Sequence, residues 1–111
     1  MVPFNGTNIN IRNNIVNGFS HSWMRGTNGN TRLSNVTVTN NDAFANADNN
    51  TPSWPGGNPV NYTYNSNLNI DPLFVSANNY RLQATSPCIN TGFNIGLVFN
   101  GTAPDMGYAE Y

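Results

Sequence analysis

The sequence predicts an all-β chain wound as a solenoid of about three coils. Three observations predict it: a strand pattern that repeats, no helical period, and a polar fraction built from asparagine rather than charge. The repeat consists of Asn8-Ile-Asn-Ile-Arg-Asn-Asn14, Asn35-Val-Thr-Val-Thr-Asn-Asn41 and Asn61-Tyr-Thr-Tyr-Asn-Ser-Asn67, offset by 27 and then 26 residues. Each segment alternates apolar and polar side chains, the two-residue period of a strand. Asn, Gly, Thr and Pro are abundant and no 3.6-residue period appears, which argues against helix. A strand that recurs at this spacing with no amphipathic helix between predicts stacked coils.

The register then assigns each strand position. Ile9, Val36 and Tyr62 form one inward column, and Ile11, Val38 and Tyr64 a second. Asn10, Thr37 and Thr63 form one outward column, and Arg12, Thr39 and Asn65 another. Asn14, Asn41 and Asn67 fall where each strand turns, so their side chains are expected to hydrogen-bond amide to amide from coil to coil, as stacked amides do in cross-β structures. After the turn, Ile15-Val16, Ala43-Phe44 and Leu68-Asn-Ile70 predict a second sheet. The stretches 18–32 and 46–59 are rich in Gly, Pro, Ser and Asn, and predict protruding loops where a ligand surface would be built. Residues 1–70 are read as coils and 71–111 as a terminal coil with a capping segment, in one continuous domain.

Composition narrows the function classes. Charged residues make up 8% of the 111-residue chain, and the formal net charge is -1. There is no lysine, and Arg12, Arg25, Arg32 and Arg81 are the only arginines. Such a chain has no electrostatic footprint for nucleic acid or an anionic membrane. No apolar run approaches the ~20 residues of a membrane helix, so membrane insertion is not expected. The lone Cys88 excludes an intramolecular disulfide. Met1 to Asn10 has neither a basic start nor an apolar run, so an export signal, if there is one, is expected upstream.

Beyond residue 70 four motifs follow one another: Asp71-Pro-Leu-Phe-Val75, Asn79-Tyr-Arg-Leu-Gln83, Ser86-Pro-Cys-Ile-Asn-Thr-Gly92 and Pro104-Asp-Met-Gly-Tyr-Ala-Glu-Tyr111. In order and spacing they resemble the closing motifs of right-handed parallel β-helix proteins, a broad family that includes pectate-lyase-like enzymes and many bacterial cell-surface proteins. The resemblance implies that fold, an extracellular or cell-surface location, and a parent associated with polysaccharide, whether as a lyase, a glycoside hydrolase or a binding protein. The residues themselves suggest simpler roles. Asp71 can accept from turn amides while Pro72 fixes φ. Leu73, Phe74 and Val75 are expected to cover the last coil, and Tyr80 and Leu82 to mark one more strand. Cys88 reads as a small buried apolar group, Gly92 and Gly107 as positive-φ turn positions, and Asp105 as a stabiliser of the last turn.

Catalytic chemistry is poorly provided for. Lyases resembling pectate lyase need an Arg or Lys base beside acids that hold Ca²⁺, and glycosidases need converging carboxylates. Arg12 alone lies on the outward columns, with no carboxylate beside it. Asp42 and Asp48, read as two acids on a loop, fall short of the roughly 6–8 oxygen ligands of Ca²⁺. His21 has no partner at metal-ligand spacing and is read as a surface or loop-packing residue. No catalytic residue, metal or cofactor is therefore expected in this chain, and Ca²⁺ only in a parent.

The expected function is a stabilising C-terminal part of a secreted or cell-surface β-helix protein. Trp23 and Trp54, with Arg12, Thr37 and Thr39, are its candidate carbohydrate contacts. The alternatives are that each Trp anchors its own loop, and that the chain is a scaffold in a stalk, adhesin or tail fibre. An ice-binding threonine array is disfavoured because Asn10, Arg12 and Asn65 interrupt the columns. Unless Met1–Asn5 covers the first coil, its open edge predicts self-association.

Overall fold

Alternation in the repeat produces strands that pair in parallel. The computed structural model describes residues 6–21, 23–25 and 33–111, and these residues are all-β, with no helix among them. Strands β1 (Gly6–Arg12), β3 (Leu33–Thr39) and β5 (Val60–Asn65) form one sheet in the order β1-β3-β5. Ile9 pairs with Val36 and Val36 with Tyr62, while Ile11 pairs with Val38 and Val38 with Tyr64. A second parallel pair joins β2 (Ile15–Asn17) to β4 (Asp42–Phe44), and an isolated bridge adds Leu68 beside Asp42.

Backbone conformation accounts for much of the asparagine. Asn13, Asn40 and Ser66 have φ of 61°, 56° and 55° and turn the chain between the two sheets. Asn8, Asn35 and Asn61 have φ of 57°, 52° and 54° inside their strands, where the pairing skips one residue. Asparagine enters this left-handed region more readily than most residues that carry a side chain. The same positions carry hydrogen bonds. Asn14 Nδ2 donates to Asn41 Oδ1 at 2.9 Å, and Asn41 Nδ2 to Asn67 Oδ1 at 3.0 Å. A second ladder runs from Asn61 Nδ2 to Asn35 Oδ1 and from Asn35 Nδ2 to Asn8 Oδ1.

The described part of 18–32 and the first part of 46–59 are paired with one another rather than protruding. Gly18 N donates to Phe44 O, Ala47 N to Phe19 O, and Ser53 N to Met24 O, so 18–21 and 23–25 lie alongside 44–53. The side chains keep the 27-residue offset: Phe19 with Asn46, His21 with Asp48, Trp23 with Asn50. Polar composition had suggested loops, but backbone amides paired with the neighbouring repeat satisfy themselves without alternation. Ser22 and residues 26–32 of the first stretch, and the Met1–Asn5 segment, lie outside the described residues.

The next bend repeats at Gly18, Ala45 and Leu73, with φ of 75°, 55° and 53°. After Leu73 the chain makes an antiparallel hairpin, β6 (Phe74–Ser76) with β7 (Asn79–Leu82); β7 is the further strand expected at Tyr80 and Leu82, and it runs back against β6. Gln83 secures the reversal, its N donating to Leu73 O and its Nε2 to Phe74 O. Residues 88–107 then return along the flank of the earlier repeats. Asn13 Nδ2 donates to Phe93 O, Asn40 Nδ2 to Thr91 O, and Gly107 N to Asn13 O.

Two apolar centres result. Val36, Val38 and Ala43 are buried within the stack. Leu82, Cys88 and Met106 form a second cluster, packed by Ile15, Leu68, Phe74 and Ile89. Full burial of a side chain such as Val38 or Met106 contributes about 1.5–3 kcal/mol. Two apolar assignments change. Val75 is 51% exposed and covers nothing, because the hairpin turns it outward. Tyr64, assigned to the core, is 36% exposed, because no described strand lies beyond β5.

Candidate functional site

The outward column around Arg12 is covered, not open to ligand. The Arg12 guanidinium lies 4.0 Å from the Phe93 ring centroid, and its Nε donates to Thr39 Oγ1 at 3.3 Å. Thr39 is only 6% exposed, because the returning segment passes over it. Arg12 and Thr39 are thus held in intramolecular contacts, and Thr37 is half-buried between Asn10 and Thr63. The arginine contributes packing and a cation–π contact rather than a free charge.

The tryptophans are likewise turned to their own surroundings. Trp23 is half-buried and its Nε1 donates to Asn50 O at 3.2 Å. Trp54 is half-buried and meets Tyr62 edge-on, with ring centroids 5.4 Å apart, and Tyr62 stacks on Tyr64 at 6.4 Å. Burial pushes both tyrosine phenols up from their ordinary range.

The acidic residues part company. Asp42, expected on a loop, opens β4 and is fully buried. Its Oδ1 accepts from Ile70 N and its Oδ2 from the Cys88 thiol at 3.2 Å. Burial raises the Asp42 carboxyl above its usual range, against the two hydrogen bonds that lower it. Burial first, and then the hydrogen bond to Asp42, push the Cys88 thiol up to about 12. A protonated buried thiol is a poor nucleophile. Asp48 sits on the surface, 3.0 Å from His21 Nδ1, with both side chains largely exposed. A pair this exposed contributes little to stability.

The remaining acids are structural. Asp71 Oδ1 accepts from Leu73 N. Asp105 accepts from Asn90 N and Tyr111 N, which ties the last residue to the turn. Gly107 has φ of 101°, but Gly92 is not among the positive-φ glycines. Gly92 is needed for closeness instead: a Cβ there would stand 2.8 Å from Pro104 O and 3.0 Å from Asp105 O. No group of three or more His, Cys, Asp or Glu is arranged to hold a metal among the described residues.

A cleft that the sequence did not single out lies on the flank, between β2, the hairpin and the returning segment. It has a volume of about 510 Å³, within the usual range for small-molecule sites. Phe19, Phe74, Tyr80 and Tyr108 supply its aromatic walls, and Ile15 is also part of its lining. Phe19 and Tyr80 are each 59% exposed and Tyr108 71%. Phe74 holds Tyr80 edge-on at 5.4 Å. Asn13, Asn14 and Asn17 supply amides. Asn13 is committed to both polar atoms of the Phe93 backbone and Asn14 to the ladder, so Asn17 brings the uncommitted amide. Among the described residues, no charged one lines the cleft. Neither composition nor periodicity could reveal it, because its walls come from positions up to 95 residues apart in the chain. No protein-family model, no characterised protein and no solved structure matches this chain.

Proposed function

We propose that the chain is the end of a right-handed parallel β-helix that holds a neutral oligosaccharide in the flank cleft, as part of an extracellular or cell-surface protein associated with polysaccharide. The observation that carries the binding reading is the cleft's lining: three exposed aromatic rings, one free amide and, among the described residues, no charge. Aromatic faces stack on the C–H faces of sugar rings, and amide and phenol groups meet hydroxyls, while an uncharged wall favours neutral over acidic glycans. The β-helix reading rests on the parallel registers at 26–27 residue offsets and on the closing motifs.

Titration calorimetry with neutral and uronic-acid oligosaccharides tests this reading. Neutral glycans are expected to bind, and Tyr80→Ala or Phe19→Ala to weaken them about tenfold, the effect of losing one aromatic contact. Trp54→Ala should leave affinity unchanged. Binding lost with Trp54→Ala but retained in Tyr80→Ala would move the site away from the cleft, and no binding to any glycan would leave the scaffold reading.

A further inference from the structure

We infer that the β5 end of the strand stack is complementary to itself, and that a second copy of this chain docks on it head to head. The two β5 strands pair antiparallel about a twofold axis through Tyr64. β5 is an outer strand of its sheet. The residues that follow leave its free edge uncovered: they bend at Ser66, reverse after Leu73 and return along the flank, bonded to Asn13 and Asn40. Any upstream coils of a longer β-helix lie on the β1 side and leave this end as it is.

Asn61 and Asn67 mark the ends of this edge, each three residues from Tyr64. In the inner ladder, Asn41 Oδ1 accepts from both N and Nδ2 of Asn14, and Asn67 Oδ1 from both N and Nδ2 of Asn41. Each rung's backbone N is thus aimed at the following repeat, and Asn67 N, the last, has no acceptor among the described residues. In the outer ladder donation runs the other way, from Asn61 Nδ2 to Asn35 and from Asn35 to Asn8. Asn61 Oδ1 is left with no donor among the described residues. The edge therefore carries one open donor and one open acceptor, placed evenly about its centre.

A twofold axis through Tyr64 exchanges the two positions. Setting Tyr64 against its own copy also sets Asn61 opposite Asn67 and Thr63 opposite Asn65. Asn67 N would donate to Asn61 Oδ1 of the second copy, and the same bond would form once more in return. The two Tyr64 rings, each 36% exposed, would meet, and Val60, 51% exposed, would face Leu68 of the second copy. No residue from 60 to 70 is charged, so like copies meet without repulsion. An outer strand with unpaired backbone is a template for such addition. Because one surface serves both copies, the contact is isologous and closes at a dimer. None of residues 60–70 lines the flank cleft, so the inference stands apart from the carbohydrate reading.

Sedimentation velocity of the full chain is expected to show a monomer–dimer equilibrium that stops at dimer. Tyr64→Cys should crosslink to its own copy with a short bismaleimide, because only a twofold axis sets a residue against itself, and the native Cys88 is buried. Thr63→Lys combined with Asn65→Lys puts like charges opposite one another twice across the junction. It should weaken dimerisation about tenfold at low salt. Thr63→Lys combined with Asn65→Asp makes both pairs attractive and should restore it, with circular dichroism showing the same strand content in both. A native chain that is monomeric at every concentration, growth beyond dimer, no crosslink at position 64, or equal dimerisation of the two double variants would overturn the inference.

Discussion

The strand stack and the closing segment hold themselves together in different ways. In the stack the main contacts recur one repeat away: Asn14 to Asn41 to Asn67, and Ile11 to Val38 to Tyr64. The closing segment has no such echoes. It is anchored by Asn13 to Phe93, Asn40 to Thr91 and Asp42 to Cys88, contacts that span 80, 51 and 46 residues and occur once each. Repetition spreads stabilisation over many similar bonds, so loss of an end rung leaves the rest. Single long-range contacts concentrate it, and a segment held that way opens as a unit when one fails.

The largest expected effect is on the closing segment. Gly92→Ala would drive a Cβ into two backbone carbonyls that cannot swing away. It should cost about 3 kcal/mol, the upper part of the range for overpacking, measured by urea denaturation. Cys88, fully buried in the native chain, should at the same time become reactive to a thiol reagent.

Asn41→Ala should approach the same cost, about 3 kcal/mol, because it leaves several buried partners unpaired. Asn67→Ala, at the end of the same ladder, should cost only about 1 kcal/mol. Equal costs for the middle and end rungs would refute the idea that the stack shares its load.

A pH dependence separates the two regions further. Burial raises Asp42, so its protonated form is favoured in the folded chain. That contribution is fully present below the ordinary carboxylate range and is lost as pH rises through the raised value. Cys88 behaves alike at higher pH: its contribution holds below about 9.0 and is lost as pH climbs toward about 12. Asp71 adds a like charge near Asp42 and strengthens the first effect. Thermal unfolding of Asp42→Asn should therefore lose the lower of these two pH windows and keep the upper one. A wild-type curve that is flat across both would remove the buried pair from the account.

The smallest expected effect is Phe93→Ala. It removes the ring beneath Arg12 but leaves the two backbone bonds to Asn13, so about 0.5–1 kcal/mol should be lost.

Much of the stack was legible in the chain because its physics is local and repeated. Alternation places Val36 and Val38 inward, and equal spacing of like residues brings Asn14, Asn41 and Asn67 into line. The second ladder was equally visible in the repeat, at Asn8, Asn35 and Asn61, since it stands at the same fixed register. The pairing of 18–21 and 23–25 with 44–53 was obscured because these residues carry polar side chains bonded to the neighbouring repeat, so composition imitates a loop. The candidate site was not legible. Arg12 and Thr39 alternate as ligand-facing residues should, and no local pattern announces that Phe93 will lie over them.

By itself, then, the sequence determined the β-structure, the strand register and the rungs of the turn, all of which follow from side-chain alternation and a 26–27 residue period. Only the tertiary structure decided that the chain reverses after Leu73, that its end returns along the flank to bury Asp42 against Cys88, and that Phe19, Phe74, Tyr80 and Tyr108 meet around one cleft. The reason is physical. A repeat specifies its neighbours through short-range geometry copied at each turn, whereas a segment used once is placed by whichever exposed surface it covers best.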